Sequence, residues 1–341
     1  MKPARWPNAR PETGRLLHVR PRSGRFSDAR VADLPSLLRE GDLLVVNDAA
    51  TLPASLPGRT EAGERIELRL MSREPDDTWT VVLFGAGDWR KRTEDRPPPP
   101  VLPVGARFIA GGLPARVVEV LPPSPRLLRV DFSERGAALW AALYRGGRPV
   151  QYAYTEGPLA LWHVQTVYGT RPWAVEAPSA GLPLTWSLLL ELRRRGVRLA
   201  SLTHAAGLSS TGDDALDAAL PRPERSDIPA ATVEAVERTR AAGGRVVAVG
   251  TTVVRALEGR ATRYGGKLVA GEETTDLLLG PGYVPRVVHG LLTGVHEPGS
   301  SHHALLQSFA PLPLLREAAA HAEASGYLGH EFGDSCLLLD A

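Results

Sequence analysis

Residues 64–71 alternate in strict period two, with Ile66, Leu68 and Leu70 on one face and Arg65, Glu67 and Arg69 on the other. A pleated strand is the only regular structure with that period. Similar strands are predicted at 78–84, 113–120 and 126–132, separated by Gly- and Pro-rich turns. Short alternating strands with frequent turns indicate an antiparallel sheet or small barrel. The proline tract 97–100 has no N–H groups to give a ladder and reads as an extended loop. A helix over 134–144, closed by Gly146-Gly147, leads out of this stretch.

On either side the texture is α/β. Gly41-Asp42-Leu43-Leu44-Val45-Val46-Asn47-Asp48 reads as a short buried strand leaving into a polar turn. Thr185 is a good N-cap for a helix that places Leu188, Leu189 and Leu192 on one face and stops at Gly196. A strand through Leu199 and Leu202 follows. Pro229 opens a further helix through Val233 and Val236 that ends at Gly243-Gly244. Arg245-Val246-Val247-Ala248-Val249 is then a buried strand, Gly250-Thr251-Thr252 a turn, and a helix is predicted from Val253. Turns of this βα kind hold ligands at strand ends.

Composition bounds the function. The 341 residues are 43% apolar and 23% charged, ordinary values for about two globular domains. No apolar run is long enough for a membrane helix, and the first fifteen residues have no hydrophobic signal core, so a cytoplasmic address is expected. The only cysteine, Cys336, excludes an internal disulfide and a thiolate metal cage. The net charge of +2 does not itself imply nucleic-acid binding. All basic residues except Lys2, Lys91 and Lys267 are arginine, which suits phosphate contact or simply reflects a GC-rich coding sequence. Arg90-Lys91-Arg92 and Arg193-Arg194-Arg195 are backbone contacts or solvated faces.

Four constellations have chemistry to offer. In Gly250-Thr251-Thr252-Val253-Val254-Arg255, the glycine allows a tight turn, and two hydroxyls and free helix N–H groups face whatever binds. Arg255 lies one turn in, able to meet a carboxylate or phosphate; a plain N-cap with a surface arginine has the same spacing. The GxxxxGK[ST] pattern of a P-loop is absent. Gln165-Thr166-Val167-Tyr168 and Ala177-Pro178-Ser179-Ala180-Gly181-Leu182 form either a structural turn or a binding loop before the Thr185 cap; this is not a GxSxG elbow. His204 follows a strand, and His296 lies in Gly294-Val295-His296-Glu297-Pro298, with His302 and His303 beyond; the spacing fails for a HExxH zinc site, and no metal is expected. Asp334 precedes an apolar strand over 336–339, where it caps a turn or binds a ligand.

Taken in chain order these segments resemble the S-adenosylmethionine:tRNA ribosyltransferase-isomerases of queuosine biosynthesis. The resemblance rests on Arg15-Leu16-Leu17, Gly41 to Val45 with Asn47-Asp48, Pro53-Ala54, Gln165 to Tyr168, Ala177-Pro178, Ala180-Gly181-Leu182 with Thr185, and His204. It continues through Ala248 to Thr252 with Arg255, Leu257 and Glu258, then Pro281-Gly282-Tyr283, His296 with Pro298, and Gly333-Asp334. It implies an α/β fold in which a large α/β domain, 1–55 with 155–341, is interrupted by a small antiparallel β-barrel domain over 56–154. It also implies ribosyl transfer and isomerisation from S-adenosylmethionine onto 7-aminomethyl-7-deazaguanine in tRNA, giving epoxyqueuosine with release of adenine and methionine. S-adenosylmethionine is then a substrate, tRNA a partner, and no separate cofactor or membrane is involved. His204, His296 and Glu224 become candidates for proton transfer. Asn47, Asp48, Gln165, Tyr168, Pro178, Ser179, Gly181, Thr185, Gly250, Thr251, Thr252, Arg255, Tyr283 and Asp334 become candidates for substrate binding, with Asp334 holding a ribose hydroxyl or the amine.

Several polar positions depart from the family's pattern. Ala49-Ala50 stand for a usual Thr-Arg, Pro183 for a histidine, Ala205 to Ser210 for a glycine-rich stretch, Ala219 and Arg222 for a histidine pair, and Gly294 for an asparagine. The run Leu328-Gly329-His330-Glu331-Phe332 replaces Arg-Phe-Phe-Ser-Tyr. These departures leave two alternatives: a divergent paralogue using another acceptor, and a non-catalytic binding protein on the same fold.

Overall fold

The computed structural model describes residues 1–340. The chain opens with β1 (Lys2–Pro3), then a hairpin of β2 (Arg15–Arg20) and β3 (Arg25–Arg30), the short helix α1 (Leu34–Leu37), β4 (Leu43–Asn47) and β5 (Ala49–Thr51). Leu43 to Val46 are all buried, so β4 is covered on both faces.

A closed barrel follows: β6 (Ser55–Thr60), β7 (Arg65–Arg73), β8 (Trp79–Phe84), β9 (Arg107–Ala110), β10 (Leu113–Val120) and β11 (Leu127–Phe132), in the order β10-β11-β8-β7-β6-β9 with every pairing antiparallel. Closure leaves no edge strand exposed. Ile66, Leu68, Leu70, Trp79, Phe84, Phe108 and Phe132 are buried in one cluster, each contributing roughly 1.5–3 kcal/mol of burial. The predicted strand over 64–71 is β7, but of its charged face only Arg65 is exposed. Glu67 and Arg69 are buried and joined in an ion pair, with Arg96 as a second partner of Glu67. The proline tract runs along the barrel, with Pro97 O against Gly85, where a Cβ would overlap it. Helix α2 (Gly136–Gly146) leads out, with Gly146 packed on Gly111.

Then come β12 (Arg171–Ala174), which pairs in parallel with β5, α3 (Trp186–Arg194), β13 (Arg198–His204), α4 (Asp214–Asp217), β14 (Glu224–Ile228) and α5 (Ala230–Ala241). The last part holds β15 (Val246–Val249), α6 (Thr251–Arg263), β16 (Gly271–Thr275), β17 (Gly290–Gly294), α7 (Ser301–Leu306), α8 (Leu312–Ala324), β18 (Leu328–Gly329) and β19 (Ser335–Leu338). Nine strands form one sheet in the order β16-β14-β13-β4-β15-β17-β19-β2-β3. The four central strands, β13, β4, β15 and β17, run parallel, and β14 and β19 flank them antiparallel. Leucines of α1 and α3 pack on one face with Leu44, Val46, Val247 and Val249. Residues of α5, α6 and α8 cover the other with Val45, Val246 and Ala248. No helix among the described residues is long and apolar enough to cross a membrane.

Candidate active site

The carboxyl ends of the four parallel strands fall at His204, Asn47, Val249 and Gly294. Ligands of open α/β sheets bind at such ends, between the helices of the two faces. Asn47 ties three of these segments together. Its Oδ1 accepts from the N–H of His204 (2.9 Å) and of Ala49 (3.1 Å), and its Nδ2 donates to His204 O (3.0 Å) and to Thr252 Oγ1 (3.3 Å).

His204 is wholly buried, and neither ring nitrogen has a protein hydrogen-bond partner. Its Nε2 lies 3.6 Å from Glu224 Oε2, because β13 and β14 pair with His204 opposite Ser226. Burial, with the Arg255 cation adding to it, pushes the imidazole down to about 3. The ring is therefore a neutral base at physiological pH. Glu224 also accepts the N–H of Gly207 through Oε1 (2.8 Å) and pairs with Arg255. Burial raises its carboxyl above the ordinary range, against the pull of Arg255.

Arg255 differs from its expected role. Its Nε donates to Leu277 O (3.2 Å) and its two terminal nitrogens to Glu224 and Arg222 O. A buried cation has to find acceptors within the protein, and this guanidinium finds one in Glu224.

The helix end is open in the expected way. Gly250, at φ +89°, turns the chain into α6, and the helix starts at Thr251, two residues before the predicted Val253. Its first-turn N–H groups lack intrahelical acceptors. Opposite it lies the turn Ser179–Gly181 after Pro178: a Cβ at Gly250 would sit 3.5 Å from that of Ala180. Tyr168 backs this turn, its hydroxyl occupying the place of any Cβ on Gly181. Burial, with the Asp48 carboxylate, pushes its phenol up. Asp48 accepts from Thr203 Oγ1 (2.6 Å) and Ser201 Oγ (3.0 Å). Gln165 clasps the Thr51 backbone at 2.9 and 2.8 Å, and Thr185 caps α3 through Leu188 N (3.3 Å). These side chains brace the backbone around the strand ends.

His296 follows β17. Its Nε2 bonds Thr293 Oγ1 at 2.7 Å, and its ring stacks on His302 with centroids 4.9 Å apart. Burial lowers it to about 3, and His302 is lowered by burial and by Arg255. Two expected residues stand apart. Tyr283 donates to Glu258 (3.0 Å) and bonds Thr262 (2.9 Å), farther along α6. Glu258 is seven residues beyond Thr251, roughly 10 Å at helical rise. Asp334 lies beside Val295, and its two oxygens accept the N–H groups of Arg15 (2.9 Å) and Leu328 (2.8 Å), so it caps backbone.

Sequence reasoning missed Glu176. Tyr152 Oη and the Ser209 N–H (3.0 Å) donate to its carboxylate, burial raises its pKa, and its charge in turn raises that of Glu224. A lone glutamate in a loop has no spacing to announce it. No three His, Cys, Asp or Glu side chains gather as metal ligands among the described residues.

Comparison with known proteins identifies the family. The profile of the family described as "Queuosine biosynthesis protein" matches residues 2–338. The chain is 37% identical to the S-adenosylmethionine:tRNA ribosyltransferase-isomerase of Acidiphilium cryptum, over 97% of this chain and 94% of that protein. It is 38% identical to the one of Thermus thermophilus, over 92% and 89%. A crystal structure of the S-adenosylmethionine tRNA ribosyltransferase of Thermotoga maritima shares the fold at a TM-score of 0.53 and 23% identity, covering 99% of this chain and 96% of that one. The chain belongs to the queuosine biosynthesis protein family, together with the enzymes named S-adenosylmethionine:tRNA ribosyltransferase-isomerase.

Proposed function

We propose that this enzyme transfers and isomerises the ribosyl group of S-adenosylmethionine onto 7-aminomethyl-7-deazaguanine in tRNA, giving epoxyqueuosine, adenine and methionine. S-adenosylmethionine enters as a substrate, and no separate cofactor takes part. The observation that carries the reading is His204: a buried, neutral imidazole with two unpartnered nitrogens, 3.6 Å from a carboxylate, at the ends of parallel strands. The reaction needs a base for the ribose methylene made acidic by the neighbouring sulfonium. His204 takes that proton, and the Glu224 carboxylate stabilises the imidazolium. The proton returns to the departing adenine, which restores the base. The acceptor amine then attacks the rearranged sugar and loses a proton to the restored base or to solvent, and epoxide closure expels methionine. The N–H groups opening α6 suit the methionine carboxylate, and the Ser179–Gly181 turn walls the other side.

The test is incubation of the purified protein with S-adenosylmethionine, with and without tRNA bearing the deazaguanine amine, followed by mass spectrometry of free adenine and methionine. Release that requires this tRNA supports the proposal. Release without it assigns the chain to another acceptor, and thermal stabilisation by S-adenosylmethionine without release marks a binding protein.

A further inference from the structure

A cavity of ≈ 160 Å³ opens between the barrel and the sheet, with Glu224 in its wall, and no sequence motif drew attention to it. It is small beside the roughly 300–1,000 Å³ of drug-sized sites, a size that suits one flat base. Three tryptophans from three elements line it: Trp79 of β8, Trp140 of α2 and Trp173 of β12. Trp79 and Trp140 meet edge to face at 6.0 Å, and the buried indole N–H of Trp79 has no acceptor in the protein. Arg73, Arg222 and Arg225 also border the cavity, with the Arg225 guanidinium 3.6 Å from the Trp173 ring centre. Glu224 is part of the wall, and its carboxylate also meets His204 and Arg255.

Aromatic walls beside guanidinium groups are how proteins take up an unstacked base on a phosphate-bearing strand. We infer that this crevice is the pocket for the acceptor base: a nucleotide of an unpaired RNA loop swings out, its base enters among Trp79, Trp140 and Trp173, and its flanking phosphates lie on Arg73, Arg222 and Arg225. The inference rests on the tRNA reading proposed above and adds the place of the acceptor. Adenine of S-adenosylmethionine is the other flat heterocycle in the reaction, but that molecule carries no phosphate for the arginines. With the sulfonium substrate at the strand ends and the acceptor in the crevice, Glu224 stands between them.

The test uses the full-length protein and three variants, Trp140→Ala, Trp140→Phe and Arg222→Ala. Steady-state adenine release gives KM for amine-bearing tRNA and for S-adenosylmethionine, and filter binding of the same tRNA is measured against salt. Base stacking on an aromatic ring predicts a rise of ~10-fold or more in the tRNA KM and Kd for Trp140→Ala, with Trp140→Phe close to wild type. The KM for S-adenosylmethionine stays within ~2-fold, because no interaction with that substrate is removed. Arg222→Ala lowers the salt slope of tRNA binding by about 1. A rise in the S-adenosylmethionine KM alone assigns the crevice to adenine and overturns the inference, as does a tRNA affinity unchanged in all three variants. If the wild type binds tRNA without turnover, the proposed reaction fails while the binding measurements still decide the pocket. A wild type that does not bind the tRNA overturns both.

Discussion

Asn47→Ala removes four hydrogen bonds from the junction of β4, β13 and α6. The N–H groups of Ala49 and His204 lose their acceptor, and the His204 carbonyl and Thr252 hydroxyl lose their donor. A buried polar group left unpaired costs ~1–3 kcal/mol. The Thr252 hydroxyl is half-buried and can turn to solvent, and neighbouring losses are not additive, so a total of ~3–5 kcal/mol is expected. Activity should suffer beyond stability: the His204 backbone is no longer tied to α6, and a displacement of ~1 Å at a reacting group costs about 100-fold in rate. Asn47→Asp keeps the two acceptor contacts but turns an oxygen towards the His204 carbonyl and leaves a buried charge, so it should be at least as damaging. Urea unfolding followed by far-UV circular dichroism measures the first effect, and kcat for adenine release in the folded fraction the second. An Asn47→Ala protein that loses less than ~1 kcal/mol and keeps wild-type kcat would refute the reasoning that this side chain organises the strand ends.

His296 titrates at about 3 when folded and near ~6.5 when unfolded, so the unfolded chain binds the extra proton and wild-type stability falls as pH drops through that interval. Relative to His296→Gln, wild type should therefore lose up to ~1.4 kcal/mol per pH unit below pH ~6.5; parallel stability–pH curves would count against a neutral buried ring. Glu258 is wholly buried and accepts the N–H groups of Arg286 (2.8 Å), Val287 (2.9 Å) and Val288 (2.8 Å) together with the Tyr283 hydroxyl. Glu258→Ala should cost ~3–5 kcal/mol in denaturant unfolding, and a near-neutral result would show the loop after β16 to be anchored otherwise. Gly181→Ala places a methyl group on the Tyr168 hydroxyl, an overpacking worth ~1–3 kcal/mol. Tyr168→Phe in the same chain should recover part of the lost melting temperature, and no recovery would mean that the clash lies elsewhere.

The periodic elements were legible and the irregular ones were not. Alternation located β7, β8, β10 and β11, but β6 reads Ser-Leu-Pro-Gly-Arg-Thr and shows no period. Gly58 stands there because Ile109 O occupies the space a Cβ would need. The outer strands β14 and β16 escaped for another reason. They are mostly polar, and their existence depends on pairing with each other and with β13 across long stretches of chain. Among site residues, the βα turn at Gly250 was visible because a left-handed glycine between a buried strand and a helix leaves a local trace. The meeting of His204 with Glu224 was not, since it follows from strand register. Nor does a residue's type say which acceptors will claim it. Arg255, Tyr283 and Asp334 carry groups that bind ligands elsewhere, and here each is taken up by the protein.

The same distinction singles out one side chain at the strand ends. Among the polar side chains at the strand ends, Asn47, Arg255 and Asp48 each have hydrogen-bond partners inside the fold. His204 is the exception, buried with both nitrogens idle. Leaving such atoms unpartnered costs ~1–3 kcal/mol apiece, and an apolar side chain of the same size would avoid that cost. A protonated imidazole would find the Glu224 carboxylate at once, whereas burial, with Arg255 adding to it, keeps the ring neutral until a proton arrives from outside. The arrangement resists protonation at rest and has a counter-ion ready for the product of protonation. On the proposed reading, the low pKa makes the imidazolium a ready donor to the departing adenine, while the Glu224 carboxylate offsets the ring's weakness as a base by pairing with the cation.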